Sequence, residues 1–282
     1  MPGLVDPTAR DFGDGLVVGP LSFGCWRFTT SSLREATALV NAAVGLGMNL
    51  IDTADVYGLD WDGTGFGAAE DLLGRVFAGS PDLRSKVVLA TKGGIRPGVP
   101  YDSSGPSIRA ACEASLRRLR TEVIDLYQIH RPDPFTHPGE LGDVLGALHD
   151  EGKIRSIGVS NHTPAQVMAL QAHLPVELAT VQPELSVVHL DPVFDGVLDQ
   201  CNELGLGVLA WSPLGGGRVM TGHGVRPELL GVLDEIAARE GVDRAAVALA
   251  FVLALPSRPV AIRRSSGYVR SASFSARSSS AV

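Results

Sequence analysis

The hydrophobic pattern of the chain alternates between short apolar runs and longer amphipathic stretches. The short runs are rich in Val, Ile and Leu and are bounded by Gly, Pro or Asp, which is typical of buried strands. They cover residues 21–24, 49–53, 87–91, 124–129, 156–159, 179–181, 208–211 and 259–262. Strands that alternate with helices are typically parallel, because each helical crossover returns the chain to the same end of the sheet.

The stretches between these runs have helical periodicity and recognisable helix ends. Thr163-Pro164 and Asp191-Pro192 each place a capping residue before a proline at the first helical position, and Ser31 to Glu35 has the form of a capping box. Gly152 and Gly205 are predicted to end helices. The predicted helices cover residues 32–46, 67–77, 107–119, 138–151, 164–173, 192–204, 227–239 and 244–255.

Eight strand and helix units predict an α/β fold, a single-domain (β/α)8 TIM barrel over residues 1–262. A doubly wound parallel sheet is the alternative. It is weakened because no GxGxxG motif follows the first strand.

Polar residues stand at or just beyond the carboxyl ends of three successive predicted strands: Asp52 and Tyr57, then Lys92, then His130. In a barrel these ends converge on one opening, the mouth, where functional groups collect. A phenol near a lysine is a suitable proton donor to a carbonyl oxygen, because the cation is expected to lower the pKa of the phenol. Asp52 would keep the lysine charged and in place, and His130 would share proton delivery or orient the carbonyl.

Composition limits the remaining function classes. The chain has 282 residues, of which 45% are hydrophobic, and a formal net charge of −7. This balance argues against a nucleic-acid or anionic-membrane partner and favours a cytoplasmic protein. The expected partner is a small-molecule carbonyl substrate, and the expected state is a monomer or a weak oligomer. The three cysteines are scattered, so neither disulfides nor a metal site is predicted.

Several segments together resemble the bacterial branch of the aldo-keto reductase superfamily. They are residues 50–58 (LIDTADVYG), 90–93 (ATKG), 129–132 (IHRP), 152–161 (GKIRSIGVSN) and 211–217 (WSPLGGG). The resemblance implies an NADP-dependent oxidoreductase on a TIM barrel that reduces an aldehyde or ketone by hydride transfer, or runs the reverse reaction, with NAD not excluded. It also implies that Tyr57 is the proton donor and that Asp52, Lys92 and His130 complete a tetrad.

The same resemblance assigns a cofactor site. Ser160, Asn161 and Gln182 would hydrogen-bond the nicotinamide carboxamide, and Trp211 would stack on the nicotinamide ring. The residues expected along the pyrophosphate are Ser212, Pro213, Leu214, Gly216 and Arg218. Trp26, Val56 and Trp61 are candidates for the substrate pocket because they are apolar groups near the mouth.

Two other functions remain open at this point. Lys92 could act as the nucleophile of a Schiff-base aldolase, with Tyr57 as proton shuttle. Alternatively, the chain could be a nucleotide-binding homologue with impaired or no turnover. The histidines outside the motifs are predicted to lie at the surface or at helix ends: His137, His149, His162, His173, His189 and His223.

The resemblance extends from about Leu21 to Ile262. Residues 263–282 are rich in Ser and Arg, contain no acidic residue and are predicted to be disordered. In relatives this region carries a helix that binds the adenosine 2′-phosphate, followed by a closing helix and a tail. Their absence here predicts weakened NADPH affinity or reduced stability. A shifted reading frame after Ile262 is one hypothesis for the change, and resequencing of the coding DNA tests it.

Overall fold

The computed structural model describes residues 5–30, 32–60, 63–99 and 101–264. Two short strands come first, β1 (Arg10–Asp11) and β2 (Val17–Val18). The others are β3 (Leu21–Gly24), β4 (Leu50–Asp52), β5 (Val88–Gly93), β6 (Ile124–Ile129), β7 (Ile154–Ser160), β8 (Thr180–Gln182), β9 (Gly207–Ala210) and β10 (Val260–Arg264). Within the described ranges, strands β3 to β10 form a closed barrel in the order β10-β3-β4-β5-β6-β7-β8-β9. The predicted (β/α)8 barrel is confirmed.

Helices cover the outside of the barrel. They are α1 (Leu33–Gly45), α2 (Ala68–Gly79), α3 (Pro81–Arg84), α4 (Gly105–Leu119), α5 (Pro138–Asp150), α6 (Pro164–Gln171), α7 (Asp191–Phe194), α8 (Val197–Leu204), α9 (Arg218–Thr221), α10 (Pro227–Glu240) and α11 (Arg244–Leu253). Tyr127 and Ile129 of β6 pack in the outer layer between strands and helices, whereas Leu126 packs in the inner cluster. Alternate residues of a strand therefore face the barrel interior, which places Gln128 and Leu126 on the same inner side.

Helix ends follow the capping chemistry of the sequence, with one difference. Thr163 and Gln166 form a complete capping box at the start of α6. At α1 the hydroxyl of Ser32 accepts from the Glu35 backbone N–H, but the Glu35 carboxylate accepts from Thr30 Oγ1 instead of returning to the cap. Only half of the predicted box is therefore present.

The predicted helix 192–204 is two helices. Gly196 has φ of +90° and separates α7 from α8, and the Asp195 carboxylate accepts from the Val197 backbone N–H. A left-handed residue cannot continue a right-handed helix, and glycine adopts this conformation at little cost.

A hairpin of β1 and β2 lies against the barrel end opposite the mouth and was not predicted. Leu16 and Val18 belong to the inner apolar cluster, and Phe12 packs beside Gly207 where any Cβ would collide with the ring. Arg10 is 1% exposed and donates from Nε to the Arg258 carbonyl. The hairpin therefore seals the inner core from solvent.

The last strand continues past Ile262, where the barrel was predicted to end. Arg263 pairs with Phe23 and Arg264 with Gly24 in the parallel ladder between β10 and β3. The first two residues of the predicted tail thus belong to the barrel. The rest of that tail, residues 265–282, lies outside the described residues.

Among the described residues, no helix is both long and apolar enough to cross a membrane.

Candidate active site

Four predicted side chains meet at the mouth. Lys92 Nζ lies 2.8 Å from Asp52 Oδ2 and 3.4 Å from the Tyr57 hydroxyl, and it also donates to the Thr53 carbonyl at 2.9 Å. The rings of Tyr57 and His130 pack edge to face with centroids 5.8 Å apart. The structure therefore brings Asp52, Tyr57, Lys92 and His130 into one cluster.

Neighbouring strands position this cluster. Asp52 is the last residue of β4 and pairs with Ala90 of β5, two residues before Lys92, so both side chains point into the mouth from adjacent strands. Tyr57 lies on the loop after β4. Gly58 has φ of +111°, and a Cβ there would lie 2.5 Å from Ala68 Cβ, so only glycine lets the loop turn tightly beside α2.

Burial changes the expected protonation of the phenol. Burial raises the pKa of Tyr57 above its usual value of 10.0, although the charge of Lys92 acts to lower it. The prediction that Lys92 would bring the pKa of Tyr57 down toward working pH was therefore wrong in its net direction, because desolvation outweighs the cation. The phenol is therefore protonated at neutral pH.

Of the two basic side chains in the cluster, Lys92 is charged and His130 is neutral at pH 7. Burial acts to lower the pKa of Lys92, but Asp52 and Tyr57 together outweigh it and raise that pKa above 10.5, so the ammonium stays charged. His130 is 9% exposed. Burial, Lys92 and Arg131 lower its pKa well below 6.5. A neutral imidazole beside a charged ammonium can donate a hydrogen bond but is not a strong acid.

A buried polar layer supports the Tyr57 loop from behind. Glu70 is fully buried and accepts from Thr91 Oγ1 at 2.5 Å and from Arg118 Nε at 2.7 Å. Asp55, two residues before Tyr57, is 2% exposed, and its Oδ1 has no hydrogen-bond partner among the described residues. Burial and the nearby Glu70 raise the pKa of Asp55 well above 3.8, against the opposing effect of Arg118.

Replacing Asp55 with asparagine is expected to stabilise the protein at neutral pH. The folded-state pKa of Asp55 is raised, so the folded chain keeps a proton that the unfolded chain releases above about pH 4. The free energy of unfolding therefore falls as pH rises from about 4 toward the raised pKa of Asp55. Asp55→Asn removes this loss, so its urea midpoint should exceed that of the wild type at pH 8 and not at pH 3.5. The exposed neighbour Asp60→Asn is the control, and a midpoint for Asp55→Asn below wild type at pH 8 would contradict the assignment.

The predicted carboxamide-binding residues form a second hydrogen-bonded group. Ser160 Oγ donates to the Gln182 carbonyl at 2.8 Å and accepts from Asn161 Nδ2 at 2.8 Å. Asn161 Oδ1 accepts from Trp211 Nε1 at 3.0 Å. Gln182 Nε2 donates to Asp52 Oδ1 at 2.9 Å, which connects this group directly to the tetrad.

The backbone at this group is constrained. Asn161 and Ser212 follow β7 and β9 with φ of +59° and +49°, values that few residues other than glycine adopt. Such outliers concentrate where ligands bind. They place Asn161 and Trp211 against each other at the mouth.

The segment expected along the pyrophosphate forms a tight turn after β9. Gly215, Gly216 and Gly217 all have positive φ, and Arg218 Nε donates back to the Gly215 carbonyl at 3.1 Å. Pro213 is buried, Leu214 packs partly into the core and Gly216 is exposed. The turn adjoins Trp211 through Ser212. The guanidinium of Arg131 lies 5.7 Å from the Trp211 ring centroid, an interaction that was not predicted.

His162 departs from its predicted surface position. It is 7% exposed, and its Nδ1 lies 2.9 Å from the Ser160 carbonyl. Burial lowers the pKa of His162 to about 4, although its hydrogen bond to Ser160 acts to raise it. The sequence signal for this burial was weak, since His162 follows a strand directly but belongs to no chemical motif.

His162 is expected to weaken the fold in acid. Because its pKa is lower folded than unfolded, its stabilisation is complete above pH 6.5 and is lost as pH falls toward 4, by an amount on the order of 3 kcal/mol. His162→Asn keeps a donor for the Ser160 carbonyl and should lose less stability between pH 7 and pH 4.5 in urea unfolding. The exposed His223→Asn should behave like wild type. Equal losses in wild type and His162→Asn would contradict this role.

Other candidate positions are less informative. Trp26 is 37% exposed beside the mouth and Val56 is partly buried, whereas Trp61 lies outside the described residues. Among the described residues, no group of three or more His, Cys, Asp or Glu side chains is arranged to hold a metal ion.

Comparison with known proteins resolves the family. The model of the aldo/keto reductase family matches residues 20–272, which includes the whole barrel. The chain belongs to the aldo/keto reductase family. It is 45% identical over 260 residues to a 6-dehydroglucose reductase of Novosphingobium aromaticivorans, a match that covers 91% of this chain and 85% of that protein. It is 37% identical over 251 residues to the oxidoreductase YdhF of Escherichia coli, over 85% of this chain and 81% of that protein.

Solved structures of other family members superpose on the barrel. The glycerol dehydrogenase AKR11B4 from Gluconobacter oxydans has a TM-score of 0.78 and 30% identity, over 92% of this chain and 86% of that chain. An aldo/keto reductase from Klebsiella pneumoniae in complex with NADP and acetate has a TM-score of 0.76 and 26% identity, over 92% and 85% respectively. This chain therefore shares its fold and family with a glycerol dehydrogenase and with an aldo/keto reductase whose structure contains NADP.

Proposed function

We propose that this protein is an NAD(P)H-dependent oxidoreductase that reduces an aldehyde or ketone to an alcohol, or catalyses the reverse. The observation that carries the proposal is the contact chain from Asp52 through Lys92 to the Tyr57 hydroxyl, with links of 2.8 and 3.4 Å, at the mouth of the barrel. A protonated phenol backed by a buried ammonium is suited to donate a proton where negative charge develops. His130 adds a neutral imidazole beside the phenol.

The residues beside the tetrad fit a nicotinamide dinucleotide. Gln182 presents an amide, Trp211 an aromatic ring and the turn from Ser212 to Arg218 a glycine-rich backbone with a cation, which suit a carboxamide, a flat ring and a diphosphate respectively. A ring that stacks on Trp211 would use the face away from Arg131 or displace that guanidinium. We expect NADP, as in the Klebsiella pneumoniae neighbour, with NAD as the second possibility.

The chemistry follows from the tetrad. When bound, the reduced nicotinamide supplies the hydride to the carbonyl carbon. The Tyr57 hydroxyl donates its proton to the carbonyl oxygen, and Lys92 stabilises the phenolate that remains until solvent reprotonates it. Asp52 holds Lys92 in place through the 2.8 Å ion pair, and His130 orients the carbonyl by a hydrogen bond.

Sugar-like aldehydes are the substrate class to test first. Two relatives are named 6-dehydroglucose reductase, from Novosphingobium aromaticivorans at 45% identity and from Agrobacterium fabrum at 34%. In this chain, Trp26 and Arg27 follow β3 at the mouth with the guanidinium 5.5 Å from the ring centroid. An aromatic face beside a hydrogen-bond donor suits a polyhydroxylated aldehyde.

The Schiff-base alternative is disfavoured by the surroundings of Lys92. An amine must be deprotonated to attack a carbonyl, whereas Asp52 and Tyr57 raise the pKa of Lys92 despite its burial. The ammonium is also fully buried and donates hydrogen bonds to three oxygens, those of Asp52, Thr53 and Tyr57.

Cofactor titration followed by turnover tests the proposal. Purified protein should quench or shift NADPH fluorescence on binding, and 6-dehydroglucose or a small aldehyde should then cause loss of nicotinamide absorbance. NADH titrated in parallel measures cofactor preference. Binding without turnover across a broad aldehyde panel would replace this proposal with a non-enzymatic nucleotide-binding role.

A further inference from the structure

A chain of side-chain hydrogen bonds crosses the barrel interior just below the mouth. Gln182 Nε2 lies 2.9 Å from Asp52 Oδ1 and 3.3 Å from Gln128 Oε1. Gln128 Nε2 lies 3.5 Å from the same Asp52 oxygen. Asp52 and Gln182 are 2% exposed and Gln128 is fully buried, so water does not supply alternative partners.

The direction of each bond in this chain is fixed by chemistry. Asp52 pairs with Lys92 as a carboxylate, and a carboxylate only accepts hydrogen bonds. Gln182 must therefore turn its nitrogen, and not its oxygen, toward Asp52. The second hydrogen of that nitrogen then needs an acceptor, and Gln128 Oε1 provides it.

One atom of Gln182 is left for a ligand. Both hydrogens of its Nε2 are used, and its Oε1 has no donor among the described residues. The neighbouring amide of Asn161 is also committed, because Nδ2 donates to Ser160 Oγ and to the His130 carbonyl and Oδ1 accepts from Trp211. The site is thus built to accept a hydrogen bond at Gln182 Oε1.

Asp52 decides which atom of the Gln182 amide faces it, and Gln128 removes the rotation about that single bond. With the bond to Asp52 alone, the Gln182 amide would keep one buried hydrogen without an acceptor, which favours rotation about the Asp52 bond and moves Oε1 out of line with a ligand. Gln128 lies on the inner side of β6, two residues before His130, and pairs in the ladder with Gly158 of β7. Any Cβ at residue 158 would approach Gln128 Cγ to 3.1 Å, so the missing side chain leaves room for the glutamine.

We propose that Gln128 is a positioning residue for the reaction: it fixes the amide of Gln182 with its nitrogen on Asp52 and its oxygen toward the nicotinamide carboxamide. Cofactor recognition and the Asp52–Lys92 ion pair are then held by one rigid set of hydrogen bonds. This inference rests on the proposed function, in which the carboxamide binds at Gln182.

A cofactor analogue tests this role without relying on turnover. The 3-acetylpyridine analogue of NADP⁺ carries a methyl ketone where NADP⁺ has a carboxamide, so it cannot donate to Gln182 Oε1. Wild-type protein should bind NADP⁺ about five- to tenfold more tightly than the analogue, since the analogue leaves a buried acceptor unpaired. In Gln128→Met the Gln182 nitrogen stays on Asp52, but the amide plane is no longer held by a second bond, so Oε1 loses its alignment with the carboxamide. NADP⁺ then loses its advantage over the analogue, and the ratio should fall to within about twofold of unity.

Two further variants define the control and the reference. Thr180→Val changes a fully buried residue two positions before Gln182 whose hydroxyl has no partner among the described residues, and it should keep the wild-type ratio. Gln182→Met removes the acceptor itself and should give the same low ratio as Gln128→Met. If Gln128→Met does not fold, Gln128→Leu takes its place, with the same expected ratio.

The possible outcomes distinguish a failure of this proposal from a failure of the proposed function. If wild type binds neither NADP⁺ nor the analogue, the proposed function fails and this proposal fails with it. If both bind but Gln128→Met keeps the wild-type ratio while Gln182→Met loses it, Gln128 does not position Gln182 and only this proposal is overturned. A ratio lost equally in Thr180→Val would also overturn it, because the effect would then reflect general repacking of the core.

Discussion

Replacing Tyr57 with phenylalanine is expected to lower kcat for carbonyl reduction by about 10²–10⁴-fold, the usual contribution of a positioned general acid. The ring and its edge-to-face packing on His130 remain, so the cofactor Kd should change by less than about twofold. Single-turnover and steady-state rates with NADPH measure the first quantity, and fluorescence titration measures the second.

Tyr101→Phe provides the matched control for this substitution. Tyr101 is 39% exposed on the loop after β5 and has no hydrogen bond among the described residues, so its hydroxyl should be dispensable. A Tyr57→Phe enzyme that keeps more than a tenth of wild-type kcat would remove Tyr57 from the role of proton donor.

Replacing Lys92 with methionine is expected to abolish turnover and also to destabilise the fold by about 3–5 kcal/mol, because a carboxylate is then left buried without its cation. Asp52 is 2% exposed and would keep only the amide donors of Gln182 and Gln128. Urea unfolding followed by circular dichroism measures the loss.

The double variant Asp52→Asn with Lys92→Met separates the structural role from the catalytic one. It contains no unpaired charge, so it should recover most of the lost stability while remaining inactive. Lys153→Met, which removes two surface ion pairs, one with Glu113 and one with Glu151, should change stability little. If Lys92→Met unfolds at the wild-type urea concentration, the buried pair does not carry the energy assigned to it.

The barrel could be predicted because its signals are local. β3 and β6 have the predicted bounds, and each of the other barrel strands begins and ends within a few residues of its predicted bounds. Runs of Val, Ile and Leu bounded by Gly and Asp indicate buried strands directly. The hairpin of β1 and β2 was missed because two-residue strands have no periodicity. The break at Gly196 had a local signal, Asp195-Gly196, that an uninterrupted helical pattern obscured.

The site was predictable to a different extent for each kind of residue. Asp52, Tyr57, Lys92 and His130 follow strands in a recognisable motif, and position at strand ends was enough to bring them together. Gln128 was missed because it lies inside a strand with no motif of its own, where its only signal is a polar residue on an inward-facing position.

Protonation could not be predicted at all from spacing. The pKa of Tyr57 depends on the balance between burial and Lys92, and the pKa of His162 depends mainly on burial. Desolvation is a property of the packed structure, because residues distant in sequence supply the cover.

Isotope transfer tests the central claim most directly, since the account requires hydride to pass from the nicotinamide to a carbonyl carbon held at Tyr57. Wild-type protein is supplied with 6-dehydroglucose or a small aldehyde and NADPH deuterated on one or the other face of C4, and the alcohol is analysed by mass spectrometry. The account predicts one deuterium in the product from one labelled face and none from the other. An alcohol without deuterium from either cofactor, or no alcohol at all with saturating NADPH, would contradict it.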